Sequence, residues 1–90
     1  MRISKEKKDK IFEQILAFLY SQNPKALFTS TIAREIARDE EFVKKLLLEL
    51  KEKKFVVDIR KNSKGISYLK RIRWRLSDHI YNTYKNHQNA

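Results

Sequence analysis

Arg71, Arg73 and Arg75 stand at alternate positions, with Ile72 and Trp74 between them and Leu76 after. In an extended strand, that alternation sends the three guanidiniums to one face and the apolar residues to the other. The arginines are then roughly 7 Å apart, close to the spacing of successive phosphates on a nucleic-acid strand. Each offers a planar, bidentate fork to a phosphate group. Arg60, Lys61 and Lys64 precede the row, and across residues 56–76 seven cations meet Asp58 alone. This stretch therefore supplies most of the chain's formal net charge of +10, a surplus that usually marks a polyanionic partner. The bland alternative is a solvated strand face. The near-absence of compensating acid favours binding.

A second set lies at Glu41, Lys44, Lys45 and Leu48, spaced by three and four residues and hence on one helical face. Lysines there suit phosphate. They suit equally an ordinary amphipathic helix in which Glu41–Lys45 and Glu49–Lys53 pair one turn apart. A third set is Thr29, Ser30 and Thr31, whose hydroxyls can cap a helix, contact phosphate, or do both. Other chemistry finds no footing. There is no cysteine, and His79 and His87 stand eight residues apart with few acids nearby. No glycine-rich phosphate loop, nucleophile elbow or spaced carboxylate pair occurs. Neither an enzyme nor a cofactor is expected.

The elements that must position these residues follow from periodicity. Ser4 can cap a first helix over 4–22, whose apolar residues Ile11, Phe12, Ile15, Leu16, Phe18 and Leu19 form a face wider than one stripe. Asn23-Pro24 ends it. Ala26-Leu27-Phe28 reads as a short strand. The three hydroxyls should cap a second helix carrying Ile32, Ala33 and Ile36. Asp39 should cap a third, in which Val43, Leu46, Leu47 and Leu50 make the buried stripe. Phe55–Ile59 reads as a strand, Asn62–Gly65 as a turn, and residues 66–76 as the return strand. Several registers keep the alternation, and the two most natural set Asp58 opposite Arg71 or Arg73. Trp74 and Tyr68 read as anchors of the hairpin core. Ser77 and Asp78 cap a final helix over 78–87, with Ile80, Tyr81 and Tyr84 on its apolar side.

The order of hydroxyls, Ile32-Ala33, Ile36, Val43, Leu47, Leu50 and Phe55-Val56 resembles a winged helix-turn-helix domain. It is similar to the small archaeal and bacterial transcription regulators built on that fold. The resemblance spans residues 8–77. It implies a mainly α protein with a small antiparallel β-hairpin, an α+β chain with an added C-terminal helix. The helix-turn-helix would occupy 30–54 and the wing 55–76. It implies double-stranded DNA as partner, with Glu41, Lys44, Lys45 and Leu48 facing base edges in the major groove and the wing on the backbone. Three departures accompany it. Lys54 stands where a helix-ending glycine is usual, the third helix opens on Asp39-Glu40-Glu41, and Leu48 replaces a commonly polar residue.

Ninety residues, 41% of them hydrophobic, suit one domain with one small core. Without a leader-like or long apolar segment, a cytoplasmic chain with no membrane contact is expected. The wide face of the first helix needs a cover, either the final helix or a second copy in a homodimer built from both. Two other functions fit the same residues: a winged-helix protein-interaction module, or an RNA- or ribosome-binding protein. The charge of the wing separates these. Replacing Arg71, Arg73 and Arg75 together by Ala should weaken duplex binding on all sequences and flatten its salt dependence. An unchanged affinity and salt slope in a titration series would remove the wing as a contact surface.

Overall fold

The computed structural model describes residues 4–60 and 72–88. Helix α1 spans Lys5–Gln22, and the Ser4 hydroxyl accepts from the Lys7 amide at 3.3 Å to start it. Ile11, Phe12, Ile15, Leu16 and Leu19 are all buried along it. The helix stops where the Asn23 amide turns back to the Tyr20 carbonyl, ahead of a cis Asn23–Pro24 bond. Strand β1, Leu27–Phe28, then runs directly into helix α2, Thr29–Glu35.

That junction changes the expected cap. Phe28 is the capping residue and makes no side-chain cap bond, while Thr29, Ser30 and Thr31 form the first turn itself. The reason is the ladder. Phe28 is still paired with a neighbouring strand, so the chain enters the helix with no residue left over for a hydroxyl cap. Helix α3, Glu40–Glu52, starts as anticipated, with the Asp39 carboxylate accepting from the Phe42 amide at 3.2 Å. Its stripe Val43, Leu46, Leu47 and Leu50 is buried against Ile32 and Ala33 of α2 and the α1 face.

Both helices end the same way. After α2, the Ala37 amide bonds the Arg34 carbonyl at 3.2 Å and the Arg38 amide bonds Ala33 at 2.9 Å. After α3, Lys54 bonds Lys51 and Phe55 bonds Leu50, each at 2.9 Å. This doubled bond closes a helix by placing one residue in the left-handed region, usually glycine. Here the residues are Ala37 at φ 55° and Lys54 at φ 64°. The turn of the helix-turn-helix is thus made without glycine.

Strand β2, Val56–Ile59, and strand β3, Arg73–Leu76, complete a three-stranded antiparallel sheet in the order β1-β3-β2. Residues 61–71, with the expected turn and Tyr68, lie outside the described residues. Ile72, Trp74 and Leu76 enter the core and Arg73 and Arg75 lie on the opposite face, as their alternation requires. The register differs from the expectation. Asp58 is opposite Trp74, and Arg73 and Arg75 are opposite Ile59 and Val57. Val56 pairs with Leu76, and both are buried. That apolar pair sets the parity, since a slip of one residue would turn Val56 out of the core. Asp58 is carried to the core-side rim and opposes neither arginine.

Helix α4, Asp78–Gln88, begins with the Ser77 hydroxyl accepting from the Ile80 amide at 3.3 Å. Ile80, Tyr81 and Tyr84 pack on the core, and Tyr20 of α1 meets both tyrosine rings at 5.4 and 5.7 Å between centroids. The wide face of α1 is therefore covered within the chain. Phe18, Ile80 and the tyrosine rim are left half-buried.

A residue with a Cβ in the left-handed region costs about 1 kcal/mol, partly offset by the freedom glycine brings to the unfolded chain. Ala37→Gly and Lys54→Gly should each raise Tm by a few degrees in thermal unfolding, about 0.5–1 kcal/mol. A lower Tm in both would show that neither position is strained.

Candidate nucleic-acid interface

The first turn of α2 and the outer face of α3 enclose a groove of about 670 Å³. Thr29, Ser30, Glu41, Lys44, Lys45 and Leu48 line it, so six of the residues singled out from sequence come together. Phe28, Glu40 and Ile72 complete the lining among the described residues. By sequence pattern alone, Phe28 and Ile72 read only as strand residues. Their signal lay in the juxtaposition of β1 with β3, which no local pattern contains. Thr31 is half-buried in the same turn but does not line the groove.

The salt bridges that would make α3 an ordinary amphipathic helix are not formed. Among the described residues, neither Lys44 nor Lys45 has an ion-pair partner, and nor do Glu40 and Glu41. Glu49 bonds Lys8 of α1 at 2.8 Å in place of Lys53. Lys53 instead sits over the Phe12 ring, 5.2 Å from its centroid, with Lys8 at 5.6 Å. Leu48 is 38% exposed, the one large hydrophobic residue so open among the described residues. At the back of the groove the Trp74 indole donates to the Thr29 hydroxyl at 2.8 Å.

The cations of β3 and those gathered on Asp58 are partly engaged. Arg75 donates to the Leu76 carbonyl at 3.0 Å and to Asp78 at 3.4 Å, which ties it to the start of α4. Arg73 is half-buried opposite Phe28. Arg60 and Lys51 both reach one oxygen of Asp58, at 2.6 and 3.1 Å. The Arg60 bond holds the Asp58 carboxyl below its ordinary 3.8; burial opposes this and Lys51 assists it. Lys61, Lys64 and Arg71 lie outside the described residues. Among the described residues, no helix is long and apolar enough to cross a membrane.

Four helices, a small sheet whose outer strands flank β3, and a helix-turn-helix whose second helix, α3, exposes its outer face define a winged helix-turn-helix fold. No family model matches the sequence, and none of the curated proteins compared is similar to it. Solved structures do match. Staphylococcus aureus MepR in complex with DNA is 21% identical at a TM-score of 0.67, over 94% of this chain and 73% of that one. A point mutant of MepR, from a multidrug-resistant S. aureus clinical isolate, is 22% identical at 0.64, over 91% and 63%. ZitR of Lactococcus lactis, a zinc-responsive MarR family member, is 16% identical at 0.57, over 99% and 54%. This chain thus spans little more than half of ZitR and under two thirds of the MepR mutant. At these identities the likeness is one of fold.

The Asp58 node yields a pH prediction. A carboxyl whose folded pKa lies below its unfolded value stabilises the fold above the unfolded value, and that contribution is lost as pH falls through the folded one. Asp58→Asn removes the titration, so as pH falls below the ordinary carboxyl value of 3.8 the variant should lose stability less steeply than the wild type. Parallel acid limbs in denaturant melts would mean that Asp58 is not held.

Proposed function

We propose that the chain binds double-stranded DNA without catalysis, as a transcription regulator, with α3 in the major groove and the basic wing on the adjacent backbone. The observation that carries this reading is the groove, which gathers Thr29, Ser30 and Leu48 around Lys44 and Lys45, two lysines with no ion-pair partner among the described residues. Lys44 and Lys45 suit phosphate or guanine, Glu41 suits the amino group of cytosine, and Leu48 suits a thymine methyl. Thr29, Ser30 and Thr31 add hydroxyls toward phosphate. Arg60, Lys61, Lys64, Arg71, Arg73 and Arg75 supply sequence-independent attraction. MepR, which shares the fold, has been solved with DNA. Glu40 and Glu41 repel phosphate and so penalise loose, non-specific seating.

One observation favours a second reading. Leu48 is exposed beside acidic residues, which suits docking of α3 onto a protein. In either case the half-buried edge of Phe18, Tyr81 and Tyr84 is the surface available for a homodimer of α1 and α4.

Binding measured on duplex DNA, structured RNA and α3 variants decides between these. Lys44→Ala and Lys45→Ala should each lose about 1–3 kcal/mol of duplex affinity where a base contact is removed. Glu40→Gln with Glu41→Gln should raise affinity for mixed sequences. Leu48→Ala should leave folding stability within about 0.5 kcal/mol. Unchanged duplex affinity across the whole panel would sink the DNA reading, and preference for structured RNA would redirect it.

A further inference from the structure

Thr29 and Ser30 both line the groove, but their hydroxyls are not equivalent. Among the described residues, Ser30 is exposed and makes no side-chain hydrogen bond, whereas Thr29 accepts from the indole of a fully buried Trp74 at 2.8 Å. A threonine hydroxyl has one proton and two acceptor lone pairs. The indole occupies a lone pair, and among the described residues nothing takes the proton. The proton must therefore point away from the indole, and the open side of Thr29 is the groove.

The donor is rigid. Trp74 lies in the middle strand, opposite Leu27 on one side and Asp58 on the other, with no solvent exposure. It cannot turn without opening the core. A hydroxyl fixed in this way gives up less rotational freedom when it bonds a ligand than a free one does.

We propose that Trp74 is a positioning residue for nucleic-acid binding, holding the Thr29 hydroxyl so that its proton is presented to a phosphate oxygen in the groove. This rests on the DNA-binding reading above and adds a member that no surface inspection would include. The arrangement has a spectroscopic consequence. When the hydroxyl donates to an anionic oxygen, its own oxygen becomes a stronger acceptor, so the indole bond tightens. Trp74 is the single tryptophan, and its one indole N–H resonance reports on that bond.

The test titrates 15N-labelled wild type, Thr29→Val, Thr29→Ser and Trp74→Phe with a mixed-sequence DNA duplex, with thermal melts to confirm that each is folded. Thr29→Val should weaken binding about five- to tenfold and Trp74→Phe about two- to fivefold, with Thr29→Ser within about twofold of wild type. The salt slope should stay at the wild-type value, because no charge is removed. In the wild type the indole N–H should move downfield on saturation. Thr29→Val binding as tightly as wild type overturns the proposal, as does a Thr29→Ser loss equal to that of Thr29→Val, or an indole resonance that duplex leaves in place. Each of these leaves DNA binding itself intact; a wild type that binds no duplex overturns both.

Discussion

Trp74 sits fully buried in the middle strand of the sheet, and the fold is arranged around that placement. Burying an indole of this size contributes about 4–6 kcal/mol by area, an upper figure because an unfolded chain is already partly collapsed. It also obliges the protein to satisfy one N–H, and Thr29 does so. The hydrogen bond spans 45 residues of sequence and fastens the first turn of α2 to the strand beside it. The first turn of α2 is therefore fastened to the middle strand of the sheet, on one side of the groove.

Charge is divided by location. Cations near the C-terminal end of α3 and along the sheet are tied down: Lys8 by Glu49, Lys51 and Arg60 by Asp58, Arg75 by Asp78. Those in the groove are not. Exposed pairs of this kind add little stability, on the order of 0–1 kcal/mol each. Their larger effect is geometric, because they link α1, α3 and β2 while Lys44 and Lys45 stay without an ion-pair partner among the described residues.

Local chemistry was the readable part of the sequence. The stripe Val43, Leu46, Leu47 and Leu50, the caps Ser4 and Asp39, and the alternation from Ile72 to Leu76 each depend on neighbours within a turn or two, and each stands in the structure. The α3 side of the groove was readable in the same way, because Glu41, Lys44, Lys45 and Leu48 share one helix face. What escaped was set at a distance. The parity of β2 against β3 hangs on Val56 meeting Leu76, and the segment from Val56 to Ile59 carries apolar residues on both of its faces, so neither face announces itself as the inner one. The role of Thr29 depends on an indole far along the chain. The partner of Glu49 is on another helix, so the i,i+4 rule proposed Lys53 and tertiary packing chose Lys8.

Strand β2 is an edge of the sheet among the described residues, with only β3 beside it. An apolar run such as Phe55-Val56-Val57-Asp58-Ile59 at an edge invites a second copy to add as a further strand, the route by which sheets grow into fibrils. Asp58 is the one charge in that run. It is turned toward the core side and held there by two cations from outside the strand. An incoming strand would have to bury that ionic cluster or break it. The carboxylate that ties Lys51 of α3 to β2 thereby sets a charged cluster at this edge, the kind of feature that opposes edge-to-edge pairing.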